Sequence, residues 1–349
     1  MNPPISSPPP SDQSGTGANP KRFFACILVW VVLAALAVSA LATGFAVLKR
    51  PLIFKSIFLP PVASERGACE DCTATTPVTS KEEKPTTILF VGDIFFDRYI
   101  RHVSARKGSD FVFSCIDDLL ETVDFAVGNL EGPITEYDSV SMGTVIGSPE
   151  NFVFTFPTTT AELLLRHHIG VVNLGNNHIN NFGQGGIDKT KQFLNDAGVG
   201  YFGGVEGNEP VYQTDRNISF VSYNKFGGQS QSETASVIAQ EKEKGRIVIV
   251  FAHWGEEYSR SVATMQDAAE LFVERGADAI FGSHPHVIIP RTDVGGAPVY
   301  YSLGNFIFDQ YWNEEVRSGL AVLLTIDRGR ITTTEYHVTL MPDGRTCPQ

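Results

Sequence analysis

Positive charge is scarce in this chain of 349 residues. Lysine and arginine together number 27 against 39 aspartates and glutamates, so the formal net charge is −12 at pH 7. Nucleic-acid backbones are bound by basic surfaces, and this charge balance therefore argues against a nucleic-acid partner. A polyanionic ligand would need locally fixed positive charge, which a bound metal ion can supply.

Cysteine is also scarce, with 5 residues. Cys69 and Cys72 form a C-x-x-C pair, which is either a disulfide outside the cell or two free thiols. A zinc site at this pair is not expected, because two further ligands do not lie close by in the sequence. Cys115 and Cys347 are far apart and give no specific pairing signal.

The N-terminal region predicts a membrane segment. Residues 1–22 are rich in proline and serine, cannot bury enough apolar surface to fold, and are predicted to be a disordered tail. The 26 uncharged residues Phe23–Leu48 follow. As a helix they would measure roughly 39 Å, enough to cross the ~30 Å hydrocarbon core, so 23–48 predicts a transmembrane helix. A cleavable signal peptide is the alternative, because Ala40-Leu41-Ala42 resembles a cleavage site. Basic residues on both sides leave the orientation open.

The rest of the chain predicts one α/β domain on a linker. Residues 49–86 are rich in proline, threonine, serine and glutamate, as expected of a juxtamembrane linker. From residue 87, short apolar runs alternate with amphipathic segments, which is typical of an α/β fold with strands buried on both faces. Three apolar segments after residue 297 predict a β-meander with a hairpin turn at Asp327–Arg330. The predicted domain covers 87–341 and leaves 342–349 as a C-terminal tail.

Five predicted strands end in residues that can bind a metal ion. These residues are Asp93, Glu131, the pair Asn177 and His178, His253, and the pair His284 and His286. In open α/β sheets, sites form where the carboxyl ends of strands meet loops, so a shared sheet would bring these side chains to one edge. Carboxylate, amide and imidazole groups without cysteine suit Mn, Fe or Zn in a hydrolytic site, and two such ions can activate water against a phosphoryl group.

Structural alternatives exist for each residue taken singly. Asp93 could cap a helix, Asn177 could occupy a turn, and His253 could be a hydrogen-bonded core residue. Pro285 restricts its neighbours, so His284 and His286 are expected to be extended and to point to the same side. The repeated position of these residues at strand ends favours the metal site.

Six stretches of the sequence resemble the CapA family of capsule (poly-γ-glutamate) synthesis proteins, within the calcineurin-like metallophosphoesterases. They are "FVGDIFFDR", "VGNLEGPIT", "NLGNNHINNFG", "FAHWGEEY", "FGSHPHV" and "YYSLGNFIFD", and they run in the family's order from Ile88 to about Asp309. The resemblance implies a four-layer α/β/β/α sandwich of metallophosphoesterase type, preceded by one N-terminal transmembrane helix. It also implies a single-pass protein of the cell membrane, with a cytoplasmic tail at 1–22 and an extracytoplasmic C-terminal domain.

The resemblance also implies roles for individual residues. The implied metal ligands are Asp93 and His286 for a first ion, Glu131 in the bridging position, and Asn177, His253 and His284 for a second ion. The resemblance would make His178 the general acid. Independently of it, Glu257 and Tyr258, which closely follow His253, and Asn305, which follows a predicted strand, are candidates for substrate contact. Phe95 stands where phosphoesterases carry a histidine ligand, and Glu131 replaces an aspartate. We therefore expect one or two divalent ions, with a weak or empty first site as a hypothesis.

Three functions remain open at this point. The first is a membrane-anchored component of poly-γ-glutamate capsule biosynthesis or export, whose partners would be the anionic polymer, membrane-embedded synthetase subunits and the lipid bilayer. The second is a metal-dependent hydrolase of phosphoesters or envelope amide bonds. The third is a non-catalytic polymer-binding protein. Phe95 argues against an ordinary phosphatase, whereas the retained histidines argue for a working metal site.

Overall fold

The structure, a computed structural model, describes residues 84–205 and 209–349. The predicted tail at 1–22, the predicted transmembrane helix at 23–48, residues 49–83 of the predicted linker and the Cys69–Cys72 pair lie outside the described residues. Within the described ranges, no helix is both long enough and apolar enough to cross a membrane.

Strands and helices alternate over the first two thirds of the described chain, and strands dominate the last third. The strands are β1 Thr86–Ile94, β2 Phe125–Leu130, β3 Ile169–Asn173, β4 Gly200–Phe202, β5 Val211–Gln213, β6 Ile218–Asn224, β7 Ile247–His253, β8 Ala279–Ser283, β9 Ile288–Ile289, β10 Thr292–Val294, β11 Ala297–Tyr300, β12 Ser302–Leu303, β13 Asn305–Ile307, β14 Ser318–Asp327, β15 Arg330–Leu340 and β16 Thr346–Pro348. The α-helices are α1 Arg98–Lys107, α2 Asp117–Leu120, α3 Thr160–Arg166, α4 Gly183–Ala197, α5 Gln231–Glu243, α6 Gln266–Glu274 and α7 Glu314–Arg317. Short 3₁₀ helices cover Ser109–Phe113 and Pro149–Phe152.

Most of these strands form two sheets. In the described part of the chain, the larger sheet has eight strands in the order β16-β15-β14-β1-β2-β3-β4, with β13 paired to β1. Its centre is parallel from β1 to β4, whereas β14 runs antiparallel to β1. The second sheet has the order β10-β11-β8-β7-β6-β5 and is parallel from β6 through β7 and β8 to β11.

Three apolar cores hold these layers together. In β1, Ile88 and Phe90 face a core shared with the second sheet, and the ring of Phe90 stacks on Phe281 of β8 with centroids 3.8 Å apart. Leu89 and Val91 face the opposite side of the sheet, in a core that includes residues of α1, α3 and α4. The outer face of the second sheet forms a third core with α5 and α6. Both faces of β1 are therefore buried, and the prediction of an α/β fold is confirmed.

The structure differs from the sequence predictions in strand pairing. The five metal-capable strand ends belong to two sheets, since β1, β2 and β3 lie in the larger sheet and β7 and β8 in the second. The predicted meander is only partly present: β14 and β15 form the predicted hairpin, but residues 297–307 are divided among three sheets. Strand pairing depends on contacts remote in sequence, which local apolar patterns do not encode.

The C-terminal residues and two cysteines also depart from expectation. Residues 342–349, predicted to be a tail, contain β16, which pairs with β15 at the edge of the larger sheet. Cys347 in β16 forms a disulfide with Cys115, across a separation of 232 residues. The sequence gives no signal for this pair, because the two cysteines are brought together only by the pairing of β15 with β16 in the folded sheet.

Candidate metal centre and cleft

The carboxyl ends of β1 and β2 and the loop after β8 bring together Asp93, Glu131 and His286. One ligand atom from each lies within 4.8 Å of the others, and all three side chains are buried. Nδ1 of His286 lies 3.3 Å from Oδ2 of Asp93, and its Nε2 lies 3.5 Å from Oε1 of Glu131. We call these three residues the triad.

A layer of asparagines fixes the triad. Asn129, in β2, donates from Nδ2 to Oδ1 of Asp93 at 2.8 Å and to Oε2 of Glu131 at 3.4 Å. Its own Oδ1 accepts from Nδ2 of Asn173 at 3.1 Å and from Nδ2 of Asn176 at 3.2 Å. Such outer contacts hold metal-binding carboxylates in one orientation.

Close backbone packing places Asp93 at this edge. A Cβ atom on Gly92 would lie 1.8 Å from the carbonyl oxygen of Gly304, so only glycine fits there. The amide of Asp93 donates to that same oxygen at 3.1 Å, and β1 pairs with β13 at Asp93 and Asn305.

The remaining predicted ligands form an adjacent group. Nε2 of His253 lies 2.8 Å from Oδ1 of Asn177, and its Nδ1 lies 2.8 Å from Oγ of Ser283. The rings of His253 and His284 are 4.8 Å apart, and those of His284 and His286 are 6.1 Å apart between centroids. All six predicted ligands are therefore neighbours at one edge of the two sheets.

The backbone at the two histidines is not extended, contrary to the prediction. His284 has a φ of 95° and His286 a φ of 56°. Tertiary contacts override the local preference set by Pro285: the amide of His284 donates to Oδ2 of Asp93 at 3.3 Å, and the carbonyl of Pro285 accepts from the amide of Tyr258 at 2.8 Å. Tyr258 itself has a φ of 59°. Non-glycine residues held at positive φ concentrate at functional sites.

Burial and mutual contacts shift the protonation of these groups. Burial and then the charge of Asp93 raise the pKa of Glu131 well above its ordinary value. Burial would also raise the pKa of Asp93, but contact with His286 outweighs it and holds that pKa well below its usual range. Burial lowers the pKa of His284 to about 3 and that of His253 well below its usual value. His253 and His284 are thus neutral at pH 7, the form in which imidazole binds metals.

The chemistry of the donor set fits a divalent cation. Among the described residues, three buried side-chain atoms have no hydrogen-bond partner, and two of them are Oε1 of Glu131 and Nδ1 of His284. Buried polar atoms nearly always have a hydrogen-bond partner, so a carboxylate oxygen and an imidazole nitrogen without one fit the role of cation ligands. Carboxylate, amide and neutral imidazole donors suit Mn, Fe or Zn.

A cleft of about 570 Å³ opens over the triad. Glu131, His286 and His178 are among the residues that line it. His178 is 9% exposed, its amide donates to Oδ1 of Asn176 at 3.0 Å, and its ring packs against Phe154 at 4.2 Å between centroids. Burial lowers the pKa of His178 to about 4. The cleft that Glu131 and His286 line therefore also presents a neutral imidazole.

Two of the three predicted substrate contacts lie on the cleft wall. Glu257 and Tyr258 line the cleft, and the ring of Tyr258 packs edge-on to exposed Trp312 at 5.5 Å between centroids. Asn305 does not line it: the residue is fully buried, and its Oδ1 lies 2.9 Å from Nδ1 of His286. β13 thus places Asn305 against His286 and away from the cleft surface.

Phe95 occupies an aromatic cluster beneath the site. Its ring stacks on Phe308 at 4.5 Å and meets Phe154 edge-on at 4.8 Å between centroids. The position therefore supplies packing and no ligand atom. Sequence analysis also missed Arg98 and Asp309, which end the first and last of the resembling stretches and pair on the cleft wall.

Comparisons with known proteins agree with the resemblance. The family model described as "Bacterial capsule synthesis protein PGA_cap" matches residues 87–310. The chain is 30% identical over 281 residues to "Capsule biosynthesis protein CapA" of Bacillus anthracis, covering 73% of this chain and 68% of that protein. It is also 30% identical over 253 residues to "PGA biosynthesis protein CapA" of Bacillus subtilis (strain 168), covering 66% of this chain and 65% of that protein.

One solved structure matches weakly. It is a single mutant of Vps29 from Entamoeba histolytica, with a TM-score of 0.28 and 12% identity, covering 76% of this chain and 97% of that one. A similarity this low supports no conclusion about fold or function.

Proposed function

Because this chain belongs to the family of bacterial capsule synthesis proteins described as PGA_cap, we propose that it acts in capsule biosynthesis or export. In this proposal it is a membrane-anchored, metal-binding protein that handles poly-γ-glutamate or a related anionic polymer. The observation that carries the proposal is the buried triad with its unpaired Glu131 oxygen at the base of an open cleft, inside the region that the family model matches.

The residues of the cleft fit a polymer of this chemistry. A divalent cation bound by Asp93, Glu131 and His286 would act as a Lewis acid toward an anionic oxygen. Asn305 and Asn129 orient the ligand side chains, so that the donors need not reorganise on binding. The cleft is also lined by apolar side chains, including Met142, Ile146 and Trp312, which suit the methylene groups between the carboxylates of such a chain.

The proposed location is the cell membrane, with the domain outside the cytoplasm. Disulfides persist in oxidising compartments, so the Cys115–Cys347 bond supports an extracytoplasmic domain. The anchor is the uncharged run at 23–48, and the membrane-embedded synthetase partners follow from the family resemblance. For the fold, helices packed on the outer faces of two facing sheets support the four-layer sandwich of metallophosphoesterase type.

Gene deletion followed by complementation tests this function. We expect deletion to remove surface polymer, the wild-type gene to restore it, and a Glu131→Gln/His286→Ala gene to fail despite normal protein levels in the membrane fraction. Unchanged surface polymer after deletion would refute the capsule role. Restoration by the triad variant would instead separate the capsule role from the metal site.

Metal-dependent hydrolysis is a second candidate function, favoured by the position of His178. This side chain lines the cleft that Glu131 and His286 also line, and its ring contacts Asn181 and Phe154, neither of which carries a charge. Turnover of an aryl phosphate with added manganese, lost in His178→Ala, would support hydrolysis. Polymer binding that persists without turnover would support the assembly role.

A further inference from the structure

The cleft carries one strongly basic side chain. Among the described residues that line it, Arg98 is the one lysine or arginine, whereas Glu131, Glu257 and Asp309 are acidic. An anionic ligand in this cleft therefore has one fixed guanidinium available for recognition, in addition to the candidate metal.

The structure holds this guanidinium rigidly. Nε of Arg98 donates to Oδ2 of Asp309 at 3.0 Å, and Nη2 donates to Oδ1 of the same carboxylate. The group also lies over aromatic rings, with its central carbon 4.7 Å from the centroid of Phe95 and 5.0 Å from that of Phe154. The backbone φ of Arg98 is 45°, a conformation that non-glycine residues rarely adopt. A paired, stacked and backbone-fixed arginine is preorganised for recognition.

The outer edge of the guanidinium remains available. Arginine has five N–H donors, and Asp309 engages two of them. Nη1 lies 3.4 Å from the carbonyl oxygen of Asn151 and 3.5 Å from its Oδ1, longer than strong hydrogen bonds. A carboxylate or phosphate can displace such long contacts and gain short charge-assisted ones.

We propose that Arg98 recognises an oxyanion of the ligand, a carboxylate or a phosphate, at a position on the cleft wall that is separate from the triad. This inference rests on the proposed function, because it concerns the ligand of the same cleft. Asp309 and the rings of Phe95 and Phe154 position the guanidinium of Arg98. Arg98 then selects ligands that carry a second anionic group, in addition to the one that would face the metal.

Matched arginine substitutions test the inference. Arg98→Lys keeps the positive charge but removes the planar guanidinium with its paired N–H donors. Arg101→Lys is the control, because Arg101 lies on the same helix and donates from Nε to Asp97 at 2.9 Å, with a side chain of similar exposure, yet does not line the cleft. Full-length protein in detergent would be titrated calorimetrically with a γ-linked glutamate oligomer and, separately, with phenyl phosphate. Bound metal and melting temperature would be measured on each variant.

We expect Arg98→Lys to weaken oligomer binding about tenfold or more and to leave the amount of bound metal unchanged. Arg101→Lys should bind the oligomer with the affinity of the wild type. Equal binding by the two variants would overturn the inference and leave the capsule proposal intact. Loss confined to phenyl phosphate, with no oligomer binding by the wild type, would uphold Arg98 as an oxyanion receptor and contradict the polymer as its ligand. Binding of neither anion by metal-loaded wild type would also overturn the inference, while the gene deletion judges the capsule role separately.

Discussion

Nδ1 of His286 lies 2.9 Å from Oδ1 of Asn305, which leaves Nε2 of the same ring on the side of Glu131. Asn305 in turn donates from Nδ2 to Gln310 at 3.0 Å and to the carbonyl of Val316 at 2.9 Å. A histidine that ligates a metal usually has its second nitrogen held in this manner, which fixes both the tautomer and the ring plane.

Replacing Asn305 is expected to weaken metal binding without removing a ligand. Asn305→Ala frees the His286 ring, and we expect the affinity for Mn or Zn to fall about 10–100-fold, measured by competition with a coloured chelator. Asn195→Ala, at an exposed position in α4, is the control and should bind as the wild type does. Wild-type affinity in Asn305→Ala would show that the contact does not orient a ligand.

Breaking the disulfide is expected to destabilise the domain. The bond between Cys115 and Cys347 closes a separation of 232 residues and ties the edge strand β16 to the segment before α2. Removing a native disulfide costs roughly 2–5 kcal/mol, so Cys115→Ser/Cys347→Ser should melt several degrees lower than wild type. Reductant should lower the melting temperature of the wild type and leave that of the double variant unchanged. Equal melting temperatures of the wild type and the double variant in oxidising buffer would contradict the prediction.

Asp124 is expected to make the free energy of unfolding depend on pH. It contacts the start of β1, whereas Asp93 lies near the end of that strand. Asp124 accepts from the amide of Thr87 at 2.8 Å and pairs with Arg216 at 2.7 Å, which links β1 to the loop before β6. Burial raises the pKa of Asp124, but the bonds from Arg216 and Thr87 outweigh it and leave that pKa lowered. Because the folded-state pKa is the lower one, the stabilisation is present above the unfolded value of 3.8 and is lost as pH falls through the folded value.

Urea unfolding of wild type and Asp124→Asn measures this effect. At pH 7 we expect the variant to be less stable by about 1 kcal/mol. Below about pH 4 the difference should shrink as the wild-type carboxylate takes up a proton. A difference that stays constant from neutral pH to strongly acidic pH would mean that the ion pair and its hydrogen bonds are not its source.

Removing the His178 side chain is expected to lower the rate of any hydrolysis and to leave the amount of bound metal unchanged. It lines the cleft but is not one of the triad, so His178→Ala should retain the bound metal of the wild type. Any turnover of an aryl phosphate should fall about 10²–10⁴-fold, as expected for loss of a general acid or base. Loss of metal in this variant would place His178 among the ligands instead.

The metal-capable residues were predictable from sequence because each follows a local pattern, an apolar run ending in a polar group. Asp93, Glu131 and His253 were identified in this way. The structure brings Asp93 and Glu131 together with His286, and the ring of His284 lies next to those of His253 and His286. The assignment of individual strands to one sheet or the other was not predictable, because alternating apolar runs do not say which strands pair. Likewise, positive φ at His284 and His286 comes from tertiary contacts that oppose the local effect of Pro285.

Asn305 and Arg98 show a second limit. Both lie in the short stretches that carry the family resemblance, but their roles depend on partners elsewhere in the fold. Asn305 was predicted to touch substrate and instead supports His286. Arg98 is held in place by Asp309, which lies 211 residues later in the chain. A residue whose position is fixed by a partner remote in sequence has no local signature.

The most direct test is the metal content of purified full-length protein, wild type beside His284→Ala/His286→Ala, by elemental mass spectrometry after equilibration with manganese or zinc. The account predicts about one or two equivalents of Mn, Fe or Zn in the wild type, and loss of metal in a double variant that is still folded by circular dichroism. Wild-type protein that remains free of metal, or a variant that retains the full amount, would contradict the metal centre on which the proposed function rests.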